Sequence, residues 1–317
     1  MEHQEKARPP VFQIHYIKLF LAPVLWGGAL VAGRVVAVNL PPFTTTFIRF
    51  SAVSLFLVPV LYFRRGSFPR PSKKAAILLV ALSFTGVLLF NFFLFSGLRT
   101  VTAVRSSVII AFTPAVVALV SGLFFREKIR PLMGLGILAA FIGAVITITE
   151  GELQLIFSRA LSVGDLFLLG CVFTWTIYSI TAKYAMAELA PLTVLTYGSV
   201  IGAVLLIPFA LTEGALVDLG SQPPETWISL LYLSIGAAGI AYLFYYEGIQ
   251  AVGASRSAIF LNLEPVAAIS LGMLILDEEL SLAVALGAVL VIGGLFLTNY
   301  QKRSSPTAES KLRTTEQ

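Results

Sequence analysis

"FSGLRTVTAVRSSVIIAFTPAVVALVSGLFFRE" occupies residues 95–127, and "YEGIQAVGASRSAIFLNLEPVAAISLGMLILDE" occupies residues 246–278. Laid together without a gap, at an offset of 151, they place Gly97 on Gly248, Ala103 on Ala254, and Arg105–Ser106 on Arg256–Ser257. Pro114 then meets Pro265 and Glu127 meets Glu278; just beyond, Gly136 meets Gly287 and Gly143 meets Gly294. Nearer the start of each half the offset is 149, pairing Trp26 with Trp175, Pro42 with Pro191 and Pro59 with Pro208. Chance likeness between apolar stretches supplies leucines and valines, not this run of prolines, glycines and charges. The chain is a tandem repeat.

The repeat is written in membrane composition. Of 317 residues, 57% are hydrophobic and 12% charged, whereas a soluble domain carries about 25% charged residues. Apolar runs near the roughly 20 residues needed to span fall at about 17–38, 43–63, 75–97, 101–124, 132–149, 163–185, 192–212, 226–248, 253–276 and 280–300. That predicts ten spans, five per half, in an all-α polytopic membrane protein. The expected divisions are an N-terminal segment 1–16, a first repeat 17–149, a connecting loop 150–162, a second repeat 163–300 and a disordered polar tail 301–317. No A-x-A pattern closes the first run, so it reads as a retained span. The lone Cys171 forms no intrachain disulfide.

The loops alternate in charge. Lys18, the Arg64–Lys74 loop, Arg126, Lys128, Arg130, Lys183 and the tail bases fall on one side of ten spans. Glu150, Glu152, Glu213, Asp218, Glu225 and Asp277–Glu279 fall on the other. Basic loops stay cytoplasmic, which predicts a cytoplasmic (inner) membrane protein with both termini inside. Five spans per repeat make the second copy enter from the opposite side. "REK" after span 4 is basic, while its counterpart "DEE" after span 9 is acidic. Inverted repeats recur in secondary transporters.

Each half ends in E-x8-G-x6-G (Glu127/Gly136/Gly143 and Glu278/Gly287/Gly294), carries a mid-span proline in span 4 or 9, and the first has Arg49 early in span 2. In these features the chain resembles the EamA-type drug/metabolite transporter superfamily over about residues 17–300. The resemblance implies a ten-helix bundle with a central cavity between the halves, lined mainly by spans 1, 3, 4, 6, 8 and 9. It also implies export or exchange of amino acids and related metabolites. Gly198 stands where the second half would repeat Arg49, a departure from exact symmetry.

Pro114 and Pro265 each remove a backbone donor and free a carbonyl one turn earlier, at Ile110 and Leu261, marking a paired helix break or hinge. Glu264 lies about ten residues into span 9, roughly 15 Å deep. A carboxylate there is costly unless it meets a base, cavity water or a cationic substrate. It is a candidate for substrate contact or proton coupling, or else a structural partner of Arg34, Arg49 or Arg105. Asn262 is two residues away, about 200° around a helix, so both cannot face one pocket without distortion. Asn91 and Tyr242 match at offset 151 and, with Trp26, Trp175 and Tyr178, complete the candidate substrate cavity. Arg49, Arg105 and Arg256 are candidate gate or ion-pair residues. Glu127 and Glu278 read as structural acids at the starts of spans 5 and 10. Glycines seven apart there allow close contact, either between halves or in a homodimer.

Rival classes fit less well. The histidines, His3 and His15, precede or open span 1, so no central histidine triad or metal cluster can form, and no cofactor is called for. No G-x4-G-K-[ST] occurs, which favours secondary transport. The bases lie in short loops between spans, which speaks against nucleic acid as a partner. A scaffold needs no polar midplane at matching positions, and a channel would show a series of ring-forming charges. The expected function is alternating-access transport of a small molecule across the lipid bilayer. Efflux of amino acids leads; uptake or exchange of a nucleoside-like, vitamin-like or drug-like solute is the alternative.

Overall fold

A computed structural model describes residues 10–125, 131–152, 162–252, 257 and 259–299. Among these residues there is no strand. The helices are α1 (Pro10–Asn39), α2 (Pro42–Arg65), α3 (Lys73–Leu82, Ser83–Leu89, Phe90–Leu98), α4 (Ala103–Ala111), α5 (Thr113–Phe125) and α6 (Pro131–Thr149). They continue with α7 (Val163–Ala185), α8 (Pro191–Glu213), α9 (Pro224–Leu231, Tyr232–Ile240, Ala241–Val252), α10 (Leu263–Ile275) and α11 (Leu282–Asn299). The middle parts of α3 and α9 are π-helical. Eight helices among the described residues are long and apolar enough to cross a membrane, with α4 and α5 together forming one; α10 and α11 give two shorter apolar helices.

Local chemistry sets the ends. Pro42, Pro191 and Pro224 open helices where a missing N–H costs nothing. Ser72 and Thr102 cap α3 and α4, and Ser162 with Asp165 forms a reciprocal capping box on α7. Gly66 and Gly214 close α2 and α8 in the left-handed region, φ 69° and 70°, which a side chain would oppose.

The packing crosses between the sequence halves. α1 lies on α9 and α10; α7 lies on α3, α4 and α5. α2 pairs with α8, and Glu213 at the end of α8 accepts from the amides of Phe43 (3.1 Å) and Thr44 (2.7 Å) at the start of α2. The two therefore run antiparallel. α6 and α11 are also antiparallel, with Gly136 against the Gly294 carbonyl and Gly143 against that of Gly287. Small residues let these backbones touch where lipid supplies no hydrophobic drive for association.

One open alternative is narrowed and one expectation needs correcting. The glycine faces of spans 5 and 10 meet each other within the chain, the between-halves alternative. Glu278 does not serve the start of α11. Its carboxylate accepts from the amides of Ala103 and Val104, each at 2.8 Å, and so caps α4 in the other half. Its counterpart Glu127 lies outside the described residues, as do Arg256, the bases 126–130 and the tail 301–317. Glu278→Ala leaves the first two amides of α4 without their acceptor. An expected destabilisation of about 2 kcal/mol follows, to be read as a lower melting temperature in detergent against Glu279→Ala.

Candidate functional site

The chain breaks at the prolines. α4 ends at Ala111, Phe112 forms a turn, and α5 starts one residue before Pro114. The carbonyl of Ile110 takes a hydrogen bond from Thr113 Oγ1 at 2.6 Å. In the second half Leu261 and Asn262 form the turn, and the Leu261 carbonyl accepts from the backbone amide of Glu264 at 3.1 Å. The side chain that closes the first break is thus replaced by a carboxylate with nothing to close. Glu264 makes no ion pair or side-chain hydrogen bond among the described residues.

Its expected arginine partners are engaged elsewhere. Arg34 donates to the Leu98 carbonyl. Arg105 pairs with Glu150 and, at 2.8 Å, with the buried Asp165, and also donates to the Ile148 carbonyl at 2.6 Å. Arg49 donates from Nη1 to Asn91 Oδ1 at 2.9 Å and from Nε to the Leu233 carbonyl at 3.3 Å. Of the candidate gate residues, Arg105 is therefore an ion-pair residue at the end of the bundle that bears Glu150.

The π segments place the remaining site groups. A π turn displaces the helical hydrogen-bond pattern and leaves carbonyls for side chains; such segments frequently mark functional sites. Asn91 Nδ2 donates to the carbonyls of Gly86 (3.1 Å) and Val87 (2.9 Å) in the α3 segment. Ala237 is the repeat counterpart of Gly86, and its carbonyl accepts from Trp26 Nε1 at 2.9 Å. The same carbonyl in each half thus holds a candidate cavity residue. On α1, Gly27 lets the helix pass against the Glu264 carbonyl, where a Cβ would lie 2.6 Å from that oxygen.

Aromatic rings surround these groups. Trp26 meets Tyr242 and Tyr245 edge-on at 5.0 and 5.3 Å between centroids. Trp175 packs on Phe90 and Tyr178, each at 4.8 Å. The clusters join where Tyr178 comes within electrostatic reach of Tyr242 and Tyr246. Tyr242 is also in reach of both Arg49 and Glu264. Trp26, Asn91, Trp175, Tyr178, Tyr242 and Glu264 are thus linked in a series by ring packing, by the Asn91 and Tyr178 contacts with Gly86, and by electrostatic reach. Asn262 is not: it lines a groove of about 280 Å³ with Ile259, Val266, Ile292 and Phe296, between α10 and α11.

Sequence reading left two roles open and missed one contact. Arg49, a gate or ion-pair candidate, donates to Asn91 of the cavity candidates. Glu247 bridges Lys18 (2.6 Å) and Arg64 (2.7 Å), tying α1, α2 and α9 at the basic end. Asp165 anchors Arg105; only its capping role was visible, in the S-x-x-D spacing from Ser162.

Comparison with known proteins places this geometry. The profile of the EamA-like transporter family matches residues 13–149 and again 162–300. The uncharacterized transporter YetK of Bacillus subtilis (strain 168) is 29% identical over 299 residues, covering 93% of this chain and 91% of the relative. An uncharacterized transporter of Archaeoglobus fulgidus is 28% identical over 283 residues, covering 89% and 96%. One solved crystal structure shares the fold, with TM-score 0.60 and 20% identity over 92% of this chain and 99% of its own.

Proposed function

Because the chain belongs to the EamA-like transporter family, we propose that it is a secondary transporter moving small amine-bearing metabolites by alternating access. Amino-acid efflux is the leading case. The observation that carries this reading is Glu264: a carboxylate in a helix break, unpartnered among the described residues and within electrostatic reach of Tyr242. A fixed anion inside a membrane bundle calls for a proton or a cationic group. A substrate ammonium supplies the latter, and tyrosine and tryptophan faces add cation–π attraction. Exchange between proton and ammonium on Glu264 would couple export to the proton gradient.

The proposed frame is ten spans in two inverted halves, 17–149 and 163–300, with both termini in the cytoplasm and the protein in the cytoplasmic membrane. Support comes from the family profile matching twice, the antiparallel pairs α2/α8 and α6/α11, the two π segments and the two proline breaks. Polar ties hold the halves at both ends: Glu247 to Lys18 and Arg64 at one, Glu278 to α4 at the other. Alternating access would loosen one set while the other holds.

Proteoliposome counterflow with amino acids, nucleosides and cationic drugs tests the substrate class. Amino acids are expected to respond; a flat amino-acid response with a nucleoside signal would install the runner-up, exchange of a nucleoside-like solute. Glu264→Gln is expected to lower pH-gradient-driven transport at least about tenfold. A variant that keeps its full gradient dependence would remove Glu264 from coupling.

A further inference from the structure

Arg49 is a cation with no carboxylate partner among the described residues. Its guanidinium offers five N–H donors in a planar fork. Asn91 and the Leu233 carbonyl engage Nη1 and Nε, while Nη2 has no acceptor among the described residues. Arg49 as a residue is half-buried, not sealed in the core. A guanidinium inside the bundle that meets neutral acceptors and the Phe50 ring, 5.5 Å away, but no carboxylate marks a functional group in the way an unpaired carboxylate does.

Asn91 is built to orient that fork without cancelling its charge. Its amide nitrogen is held by the carbonyls of Gly86 and Val87, which fixes the direction of the side chain. Its oxygen therefore faces Arg49 as a neutral acceptor. A carboxylate in that place would have taken the guanidinium for itself. Tyr242 is in electrostatic reach of both Arg49 and Glu264, the two groups of opposite charge.

We infer that Arg49 is the receptor for a substrate carboxylate and that Asn91 is the positioning residue that keeps its fork turned to the site. The substrate class is then a zwitterion, with its carboxylate on Arg49, its ammonium on Glu264 and its apolar part among the rings. This rests on the reading of Glu264 as the amine site, and the two are separable because each recognises one half of the ligand. Arg and carboxylate pair through two parallel hydrogen bonds, which a lysine cannot reproduce.

The test uses three probes on the purified full chain in detergent, by competition against radiolabelled leucine or by direct binding. Leucine carries both charges, 4-methylpentanoate only the carboxylate and 3-methylbutylamine only the amine. Arg49→Gln is expected to weaken leucine and 4-methylpentanoate at least about tenfold and to leave 3-methylbutylamine within about twofold. Arg49→Lys, which keeps the charge and so guards against simple misfolding, should weaken the same two by about threefold to tenfold. Asn91→Asp retains an acceptor for Arg49 but neutralises it, and should reproduce the Arg49→Gln pattern. Glu264→Gln should show the reverse selectivity.

A merely structural Arg49 or Asn91 would move all three probes together, and that result overturns the inference. Wild-type protein that binds 3-methylbutylamine as tightly as leucine, and 4-methylpentanoate not at all, also overturns it while the amine site stands. If none of the three binds, the inference and the amino-acid reading fall together.

Discussion

Gly143→Val is expected to cost about 3 kcal/mol or more and to lower the melting temperature in detergent by roughly 10 °C. A Cβ at Gly143 would lie 2.6 Å from the Gly287 carbonyl oxygen, 2.9 Å from Leu290 Cβ and 2.9 Å from the Val291 nitrogen. Two of these three neighbours are backbone, which cannot rotate away as a side-chain tip can. Relief requires α6 and α11 to separate, and that loosens the contacts along their whole length. Gly287→Val should act alike, since the mirrored Cβ meets the Gly143 carbonyl at 2.7 Å and the Thr147 hydroxyl. Gly293→Ala is the control: it lies one residue from the seam with no atom within 4 Å of its added carbon. Thermal unfolding followed by size exclusion checks this. Equal melting for Gly143→Val and Gly293→Ala would mean that the seam does not hold the two helices together.

The second large effect belongs to Asp165. Its side chain is 1% exposed and serves both Ser162, closing the cap of α7, and Arg105 at 2.8 Å. Asp165→Ala removes the carboxylate arm of the capping box, though Ser162 Oγ still accepts from the residue-165 amide, and leaves Arg105 with the Ile148 carbonyl and with Glu150, whose side chain is 57% exposed. Removing one partner of a buried pair typically costs about 3–5 kcal/mol, because the other charge stays desolvated. Asp165→Asn keeps a capping oxygen and drops only the charge, so it should lose less. Truncating both Asp165 and Arg105 should recover part of the loss, since no buried charge then remains. A melting series of the two single variants and the double variant measures this. Strict additivity would show that the pair is not energetically coupled.

Much of the frame was legible because it rests on local chemistry. Apolar runs, prolines at helix starts and the glycines following Arg65 and Glu213 write themselves into the residue order, and an exact offset of 151 needs no coordinates. Pro114 and Pro265 named their breaks, because a residue without an N–H can be read as such anywhere. Asn262 sits in the turn before α10, so the helix angle that sequence reading used to separate it from Glu264 does not apply. What stayed hidden was every pairing between distant parts. Glu278 looked like a cap for the helix that follows it, the nearest one in sequence, whereas its amides lie 175 residues away. The glycine faces declared that something comes close, but not what. The π segments left no trace in composition, because an extra residue in a turn is chosen by packing around Trp26, Asn91 and Arg49. The roles of those side chains were out of reach for the same reason.

The π segments also mean that α3 and α9 each hold slack within a fixed span. An α-helix advances about 100° per residue, so moving a π turn along the helix rotates the residues it passes by about that angle and leaves the rest in register. The outer ends need not shift for this. In α9 the far end is moored by Glu247 to Lys18 and Arg64, while Tyr232, the first residue of the π segment, donates to the Leu25 carbonyl at 2.9 Å. Rotation of the part between them would turn Tyr242 and Tyr245 relative to Trp26, like a tumbler in a lock whose casing stays still. In the transporter proposed above, that would re-aim the rings without moving either mooring.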